Sequence, residues 1–434
     1  MDPTTIGIIG MVALLSLIAL GVPISFSMAS VGIVGTWYMT NFTTTASQVG
    51  LNSWEKGNDF VLVALPLFIL MGQMVFRLGI AEDLYQAVRK WFGRMPGGLA
   101  ITAVISSAGF GAVTGVSAAS VATMGQMTMP ELKRYNYDPK IATGSLAAAG
   151  TLAILIPPSV LMVVYGIWTE NSIGQLFMAG IIPGIMLTTM FAGLIWVQCL
   201  IWPELGPVGP RYSWGERFSS LGKMLPILAI FMLVIGGIYA GAFTPTEAAA
   251  IGVIGVFIVG LFMGRLTWSG LRQAILESGI TTGMIFLIII SGHLISRFFV
   301  LTEVTSGIVD WIGDSGLNRY VILSIFVVMY LILGAVLDVW GMLILTLPFV
   351  YPIMLNLGFD PIWFGVFVVL MTELALITPP IGINVYIMHG IAKDVPLTTI
   401  FLGIAPFVVI VLLFVALITV FPQIVLWLPS LMAR

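Results

Sequence analysis

Two carboxylates lie inside apolar stretches of this chain. Asp338 follows the segment 334–337 (GAVL), and Glu373 lies within 362–376 (IWFGVFVVLMTELAL). Ionisable groups are expensive at membrane depth, and those that are present there usually have a function. Each carboxylate could therefore neutralise a cation, relay protons or accept hydrogen bonds from a broken backbone. A structural role as a helix cap is the alternative for both.

In the first half of the chain, small and hydroxylated residues are followed by helix-breaking prolines. Residues 109–120 (GFGAVTGVSAAS) combine glycine, alanine, threonine and serine, and Gly150-Thr151 and Pro157-Pro158 come later. A double proline removes two amide donors and interrupts a helix, which leaves carbonyl oxygens free. Hydroxyl and carbonyl oxygens of this kind suit a hard monovalent cation such as Na⁺. The alternative is that the small residues only permit close packing of helices.

The same features occur a second time, about 222 positions further on. Residues 152–158 (LAILIPP) recur as 374–380 (LALITPP), and 111–113 (GAV) recur as 334–336. With slips of one or two residues the correspondence extends over the whole chain, which is therefore a duplication. In an apolar chain, Gly/Pro-interrupted segments at matching places in two halves indicate the binding site of a transporter.

The composition is typical of an integral membrane protein with many spans. Of the 434 residues, 59% are hydrophobic and only 8% are charged, far from the average of soluble proteins. The single cysteine, Cys199, excludes an internal disulfide and a thiolate metal site. No Gly-rich lysine loop for phosphate is present, so ATP hydrolysis by this chain is not expected. No basic stripe predicts a nucleic-acid partner.

Apolar runs long enough to cross a bilayer predict five spans in each half. They lie at 5–20, 23–40, 59–77, 141–167, 175–201, 224–243, 246–263, 280–297, 362–391 and 400–426. The stretches 97–130 and 320–352 are too long for one crossing and too short for two. We therefore predict a re-entrant helical hairpin at each. The spans 141–167 and 362–391 are predicted to be broken at their prolines.

An odd number of crossings per half predicts that the two repeats have opposite orientations. The first repeat covers 1–202, a cytoplasmic connector 203–223, and the second repeat 224–434. With the N-terminus outside, 13 of the 17 Lys and Arg residues fall on one side, which identifies that side as cytoplasmic. The 13 are Arg77, Arg89, Lys90, Arg94, Lys133, Arg134, Lys140, Arg211, Arg217, Lys223, Arg265, Arg272 and Lys393. The opposite side receives Lys56, Arg297, Arg319 and Arg434.

Four segments are predicted to surround the hairpins and the broken spans. The spans in 5–40 and 224–263 are interpreted as a scaffold. Residues 79–95 and 265–278 mix charges and aromatic residues at helical spacing, and they are interpreted as interfacial arm helices. A functional extension of this interpretation is that each arm braces a moving domain against a fixed one.

Two blocks carry a resemblance to a known family. Residues 111–125 (GAVTGVSAASVATMG) with 129–159, and 333–352 with 374–392, resemble the large membrane subunit of tripartite ATP-independent periplasmic (TRAP) transporters. The resemblance covers essentially the full chain. It implies an all-α polytopic membrane protein, an inverted repeat of two five-span halves with an elevator-type mechanism, and symport driven by Na⁺. It also implies two partners: a small membrane subunit of about four helices and a periplasmic substrate-binding protein.

The resemblance also implies functional residues. A first Na⁺ site is implied at Thr114, Gly115, Ser117, Gly150, Thr151 and Pro157. A second is implied at Gly334, Asp338, Thr378, Pro379 and Gly382. A substrate site between the two hairpin tips is implied at Ser120, Ser159, Glu373 and Asn384. The family often has Ser-Gly-Ser-Ser where this chain has 114–117 (TGVS), so position 116 can contribute only its backbone.

These observations predict a Na⁺-coupled importer of a small organic anion, such as a C4-dicarboxylate, sialic acid or another sugar acid. The chain would not be an enzyme and would need no organic cofactor. It would lie in a bacterial or archaeal inner membrane with a periplasmic N-terminus. The alternatives are a stand-alone Na⁺/dicarboxylate carrier or ion antiporter, a channel or anchoring scaffold, and an intramembrane enzyme using Asp338 and Glu373.

Overall fold

The computed structural model describes residues 2–432, and every regular element within them is helical. Arg434, one of the basic residues predicted to lie outside, falls beyond the described residues. The helices of the first repeat are α1 (Pro3–Ala19), α2 (Ile24–Met39), α3 (Phe42–Gly57), α4 (Ala64–Arg77), α5 (Ile80–Phe92), α6 (Gly98–Thr114), α7 (Ser117–Arg134), α8 (Pro139–Ala149), α9 (Leu152–Leu155), α10 (Val160–Thr169) and α11 (Ile173–Ile201).

The connector and the second repeat supply the remaining helices. They are α12 (Trp214–Leu221), α13 (Leu225–Phe231), α14 (Gly237–Tyr239), α15 (Pro245–Phe262), α16 (Trp268–Leu301), α17 (Val304–Asp314), α18 (Arg319–Leu333), α19 (Val339–Asn356), α20 (Pro361–Ala375), α21 (Ile383–Ile391), α22 (Leu397–Val420) and α23 (Gln423–Met432). A π-helical turn at Met232–Gly236 joins α13 to α14.

Between residues 2 and 432, seven helices are long and apolar enough to cross a membrane, or eight if the bent pair Pro139–Leu155 and Val160–Thr169 counts as one span. This count is below the ten predicted spans. Three predicted spans fail on length, because α1, α2 and α20 contain only 17, 16 and 15 residues, whereas about 20 residues cross a typical bilayer. The count also includes α19, which was predicted as one arm of a hairpin and not as a span.

The duplication is visible in the helix boundaries. Helix α7 begins at Ser117 and ends at Arg134, and α19 begins at Val339 and ends at Asn356, so both ends are displaced by 222 positions. By the same displacement α5 corresponds to α17, and α3 corresponds to the beginning of α16. The predicted arm helices 79–95 and 265–278 are therefore not counterparts of each other.

The prediction of a separate arm helix at 265–278, followed by a span at 280–297, is wrong. One continuous helix of 34 residues, α16, covers both. Gly279 alone separates the two predictions, and a single glycine within a helix costs only about 1 kcal/mol. The predicted arms nevertheless meet, because Arg265 pairs with Asp83 and Arg77 lies 2.7 Å from Glu277.

The broken helices lie at the centre of the molecule. Every residue of α20 from Ile362 to Ala375 is buried, and so is α8 from Ile141 to Ala149. Helices that are apolar all round are typical of such a buried position. Helices α6 and α7 form one hairpin, at 98–134 rather than 97–130. Helices α18 and α19 form the other, at 319–356 rather than 320–352.

Candidate functional site: a cavity between two hairpin tips

The first hairpin tip is a break of two residues between α6 and α7. Gly115 has φ +63° and Val116 is extended, after which α7 begins at Ser117. The Gly115 amide donates to the Gly111 carbonyl at 2.8 Å and ends α6. Glycine adopts positive φ at little cost, which explains why the chain turns at this residue.

The first broken span is likewise interrupted by residues that are not helical. After α8, residues Gly150 and Thr151 form a turn, α9 adds one short helical segment, and residues 156–159 are not helical. The peptide bond between Pro157 and Pro158 is cis. Ser159 begins the next helix, because its hydroxyl accepts a hydrogen bond from the Met162 amide at 3.3 Å.

The tip and the broken span contact each other through backbone oxygens. A Cβ atom built on Gly115 would lie 2.6 Å from the Pro158 carbonyl oxygen, and one built on Gly150 would lie 3.3 Å from the Ser117 carbonyl oxygen. The structure thus brings together four residues that belong to, or adjoin, the first predicted Na⁺ site. The Thr114 hydroxyl donates to the Phe110 carbonyl of α6 at 3.2 Å, and the Thr151 hydroxyl donates to the Ala148 carbonyl of α8 at 2.7 Å.

The second tip repeats this packing. A Cβ on Gly334 would lie 2.2 Å from the Ala375 Cβ, and one on Gly111 would lie 2.3 Å from the Ala153 Cα. Ala153 and Ala375 are repeat counterparts, so each tip is held against its own broken span at the same place. Asp338 caps α19, because its side chain accepts a hydrogen bond from the Gly341 amide at 2.9 Å. The predicted structural alternative, a helix cap, is therefore present at this residue.

The second broken span is less enclosed than the first. Thr378 donates to the Leu374 carbonyl at 2.8 Å, and Gly382 has φ +54° at the start of α21. Pro379 and Pro380, also joined by a cis peptide bond, are exposed, whereas Pro157 and its neighbour are buried. The two halves are therefore related in sequence but differ in how far their breaks are covered.

Both tips line one cavity of about 160 Å³. Its lining contains the first two residues of three helices: Ser117 and Ala118 of α7, Val339 and Trp340 of α19, and Ile383 and Asn384 of α21. The lining is completed by Gly115, Val116, Ile154, Met284, Asp338 and Leu376. The N-terminus of a helix carries free amide donors and a partial positive charge. Three such ends therefore face the same space, which contains no Lys, Arg or His side chain.

A hydrogen bond connects the two halves at this cavity. The Asn384 side-chain amide donates to the Ser117 hydroxyl at 3.0 Å and to the Ala147 carbonyl at 3.3 Å. Asn384 belongs to the second broken span, Ser117 to the first tip and Ala147 to the first broken span. The relative position of the two repeats is thus fixed partly by one buried side chain.

The predicted substrate residues do not all reach the cavity. Asn384 lines it, whereas Ser120, Ser159 and Glu373 are buried and are not part of its lining. Within residues 2–432, no group of three His, Cys, Asp or Glu side chains could hold a metal ion. Ligands for a cation would therefore be chiefly backbone and hydroxyl oxygens, which are the ligands that hard monovalent cations accept.

Residues 11–424 match the family described as the DctM component of the tripartite ATP-independent periplasmic transporter. The chain belongs to this family. It is 33% identical to the C4-dicarboxylate TRAP transporter large permease DctM of Pseudomonas aeruginosa over 92% of this chain and 94% of that one. These findings make the chain a TRAP transporter large permease, a multi-pass membrane transport protein rather than an enzyme.

Relatives of this TRAP permease carry different substrate names. The ectoine permease TeaC of Halomonas elongata is 30% identical over 99% of this chain and 100% of its own length. The sialic acid permease SiaM of Vibrio cholerae is 30% identical over 96% and 97%. The crystal structure of the YdaH transporter of Alcanivorax borkumensis superimposes with a TM-score of 0.59, at 15% identity and 98% coverage of both chains. This last likeness concerns the fold alone.

Sequence reasoning missed several cavity residues of this TRAP permease. Met284 reaches the cavity from α16, and Trp340 and Leu376 enclose it from the second repeat. Nothing in the local sequence around Met284 distinguishes it from other apolar residues of a span. Trp340 could have been found, because it lies two residues after Asp338 in the first turn of α19.

Proposed function

We propose that this TRAP permease imports a small organic anion by symport with Na⁺. The observation that carries the proposal is the cavity between the tips, on which the N-termini of α7, α19 and α21 converge. Helix N-termini bind anions through backbone amides without a basic side chain. A carboxylate group is the anion that suits the cavity best, since the names of the relatives include C4-dicarboxylate and sialic acid.

The two tips support the Na⁺ sites of this proposal. At the first tip, Gly115 and Gly150 admit close approach of the Pro158 and Ser117 carbonyl oxygens. Thr114, Thr151 and Pro157 complete the proposed set. At the second tip, the proposed residues are Gly334, Asp338, Thr378, Pro379 and Gly382. When bound, Na⁺ supplies positive charge that compensates the organic anion during its passage through the apolar membrane.

The hairpins and broken spans are proposed to move together as one transport domain. Helices α7, α8 and α21 pack on one another, and α20 packs on α9, α18 and α19. The Asn384–Ser117 hydrogen bond crosses between the repeats. The helices in 5–40 and 224–263 are proposed as the fixed scaffold. Ordering of both tips around anion and cations closes the cavity before the domain crosses the lipid. Moving charge-compensated groups costs less than moving exposed charges.

Two partners are proposed from the tripartite family. They are a small membrane subunit of four helices and a periplasmic substrate-binding protein that delivers the anion. The proposed location is the inner membrane of a bacterium or archaeon, with a periplasmic N-terminus. The pairing of Arg77, Asp83, Arg265 and Glu277 supports the orientation, because all four lie together near the predicted cytoplasmic ends of α4 and α16.

Uptake into proteoliposomes tests this function. The chain is reconstituted with its small partner, and labelled succinate or N-acetylneuraminate is supplied with or without an inward Na⁺ gradient and the binding protein. Uptake of one of these compounds that requires both the gradient and the binding protein is the expected result. Uptake by the chain alone, without a binding protein, would instead identify a stand-alone carrier, and conductance without saturation would identify a channel.

A further inference from the structure

Glu373 is a buried carboxylate without a partner. It lies near the end of α20 with 2% of its surface exposed, and neither carboxylate oxygen accepts a hydrogen bond. The four ion pairs in residues 2–432 involve other acidic residues. Because an unpaired ionised carboxylate is very costly to bury, this group needs either a proton or a cation that the chain itself does not supply.

The polar side chains near Glu373 carry neutral oxygens that can coordinate a cation. The Ser117 hydroxyl lies beside the carboxylate without forming an ordinary hydrogen bond to it. The Asn384 amide nitrogen donates to this hydroxyl at 3.0 Å, but the Asn384 side-chain oxygen has no donor. The Ser120 hydroxyl, one helical turn beyond Ser117, has no partner either. Ser117, Ser120 and Asn384 are each at most 1% exposed.

The duplication shows that the fold does not need these polar groups. At the positions displaced by 222, Glu373 is replaced by Thr151, Asn384 by Met162 and Ser117 by Val339. The Thr151 hydroxyl donates to the Ala148 carbonyl of α8 at 2.7 Å, so it has a partner within the first repeat. The polar cluster is therefore present once in a structure that is otherwise built twice. The free-energy cost of burying these polar groups arises in only one repeat, which favours a functional explanation.

We propose that Glu373, the Asn384 side-chain oxygen and the hydroxyls of Ser117 and Ser120 form a further Na⁺ site. This inference rests on the proposed Na⁺ coupling and adds a site to those at the two tips. Its carboxylate balances the charge of one Na⁺, and its neutral oxygens provide the remaining coordination without further charge. Glu373 does not line the cavity, so cation binding replaces its predicted role in substrate binding.

The site would link the cation to the first tip. The carbonyl oxygen of Ser117 faces Gly150, while its hydroxyl accepts from Asn384. Ser117 therefore belongs both to the predicted first Na⁺ site, through its backbone, and to the cluster around Glu373, through its side chain. Occupation of the cluster holds α7 of the first repeat against α20 and α21 of the second, which is the contact that a closed cavity requires.

Equilibrium binding of ²²Na⁺ to the purified chain tests the inference. Wild type, Glu373→Gln and the control Glu204→Gln are compared, since Glu204 is an exposed carboxylate of the connector. We expect Glu373→Gln to bind one Na⁺ per chain fewer than wild type, and Glu204→Gln to bind the same number as wild type. An unchanged number of bound Na⁺ in Glu373→Gln would overturn the inference and leave the tip sites intact.

Two further outcomes are informative. If the wild-type protein does not bind Na⁺ in preference to choline, the proposed Na⁺ coupling is wrong, and so is the additional site. If Glu373→Gln does not elute as a folded species, Asn384→Leu decides, because leucine fills a similar volume without an oxygen. This variant is expected to weaken one Na⁺ site by about tenfold or more, which corresponds to about 1.4 kcal/mol. Unaltered affinity at every site would refute the role of Asn384 and of the cluster.

Discussion

Replacement of Gly115 by alanine should destabilise the first tip and impair transport. The residue has φ +63°, and a Cβ atom would lie 2.6 Å from the Pro158 carbonyl oxygen. The left-handed conformation costs an alanine about 1–2 kcal/mol, and overpacking costs typically about 1–3 kcal/mol. The native tip would therefore lose roughly 2–5 kcal/mol, the sum of the two costs. The backbone at Pro158 is held by the adjoining prolines, so the tip rather than the broken span is expected to shift.

The chain offers a matched control for the backbone cost. Gly241 has φ +69°, and nothing lies within 4 Å of a Cβ built on it. The Gly241→Ala variant should therefore lose only about 1–2 kcal/mol and keep its transport. The difference between the two variants isolates the steric contact at the tip.

Thermal unfolding in detergent and uptake in proteoliposomes measure the two effects. Gly115→Ala should unfold at a lower temperature than Gly241→Ala, and Na⁺ should raise its unfolding temperature less. If about 1.4 kcal/mol of the strain is relieved by opening the tip, the apparent Na⁺ affinity falls by about tenfold. Equal stability, Na⁺ response and uptake in the two variants would refute the reasoning that the tip depends on this close approach.

Three further predictions concern the contact between the repeats, the contact of α4 with the first tip, and an ion pair at the end of α4. In a double-mutant cycle, Ser117→Ala and Asn384→Leu should couple by about 0.5–1.5 kcal/mol, the net value of a hydrogen bond; additive unfolding temperatures would show that the bond across the repeats contributes nothing. Gly72→Ala places a Cβ 2.8 Å from the Thr114 carbonyl oxygen, so this variant should be less stable and show less Na⁺-dependent uptake. Unaltered uptake would exclude a functional contact between α4 and the first tip. Arg77→Gln removes the partly exposed ion pair with Glu277 of α16, so the free energy of unfolding should fall by less than about 1 kcal/mol. This loss should be smaller when unfolding is measured at high salt, and a loss independent of salt would contradict the ion-pair explanation.

The site could be predicted in its parts but not in its assembly. Glycines, hydroxylated residues and double prolines located both tips and both broken spans, because these residue types favour local breaks in a helix. The hydrogen bond between Ser117 and Asn384 joins residues 267 positions apart, and no local pattern encodes it. The same holds for Met284, which reaches the cavity only because α16 packs beside the tips.

The fold was predicted less well where helices are not apolar. Helix α3 (FTTTASQVGLNSWEKG) and helix α17 were not expected, since polar residues hide their periodicity. The continuous helix α16 was divided at Gly279, because a change in polarity was interpreted as a change of element. In each case packing against neighbouring helices decides the structure, as α3 packs on α16 and α17 packs on α1 and α19.

Protection of an engineered cysteine in the cavity tests the central claim most directly. Val116 lies at the first tip and lines the cavity, so Val116→Cys is introduced after replacement of the native, buried Cys199 by alanine. Its rate of modification by a small thiol reagent is measured with Na⁺, with the transported acid, and with both. Slow modification is expected when both are present, because the cavity is then occupied and closed. A rate that neither Na⁺ nor the acid changes would contradict an anion site between the two tips.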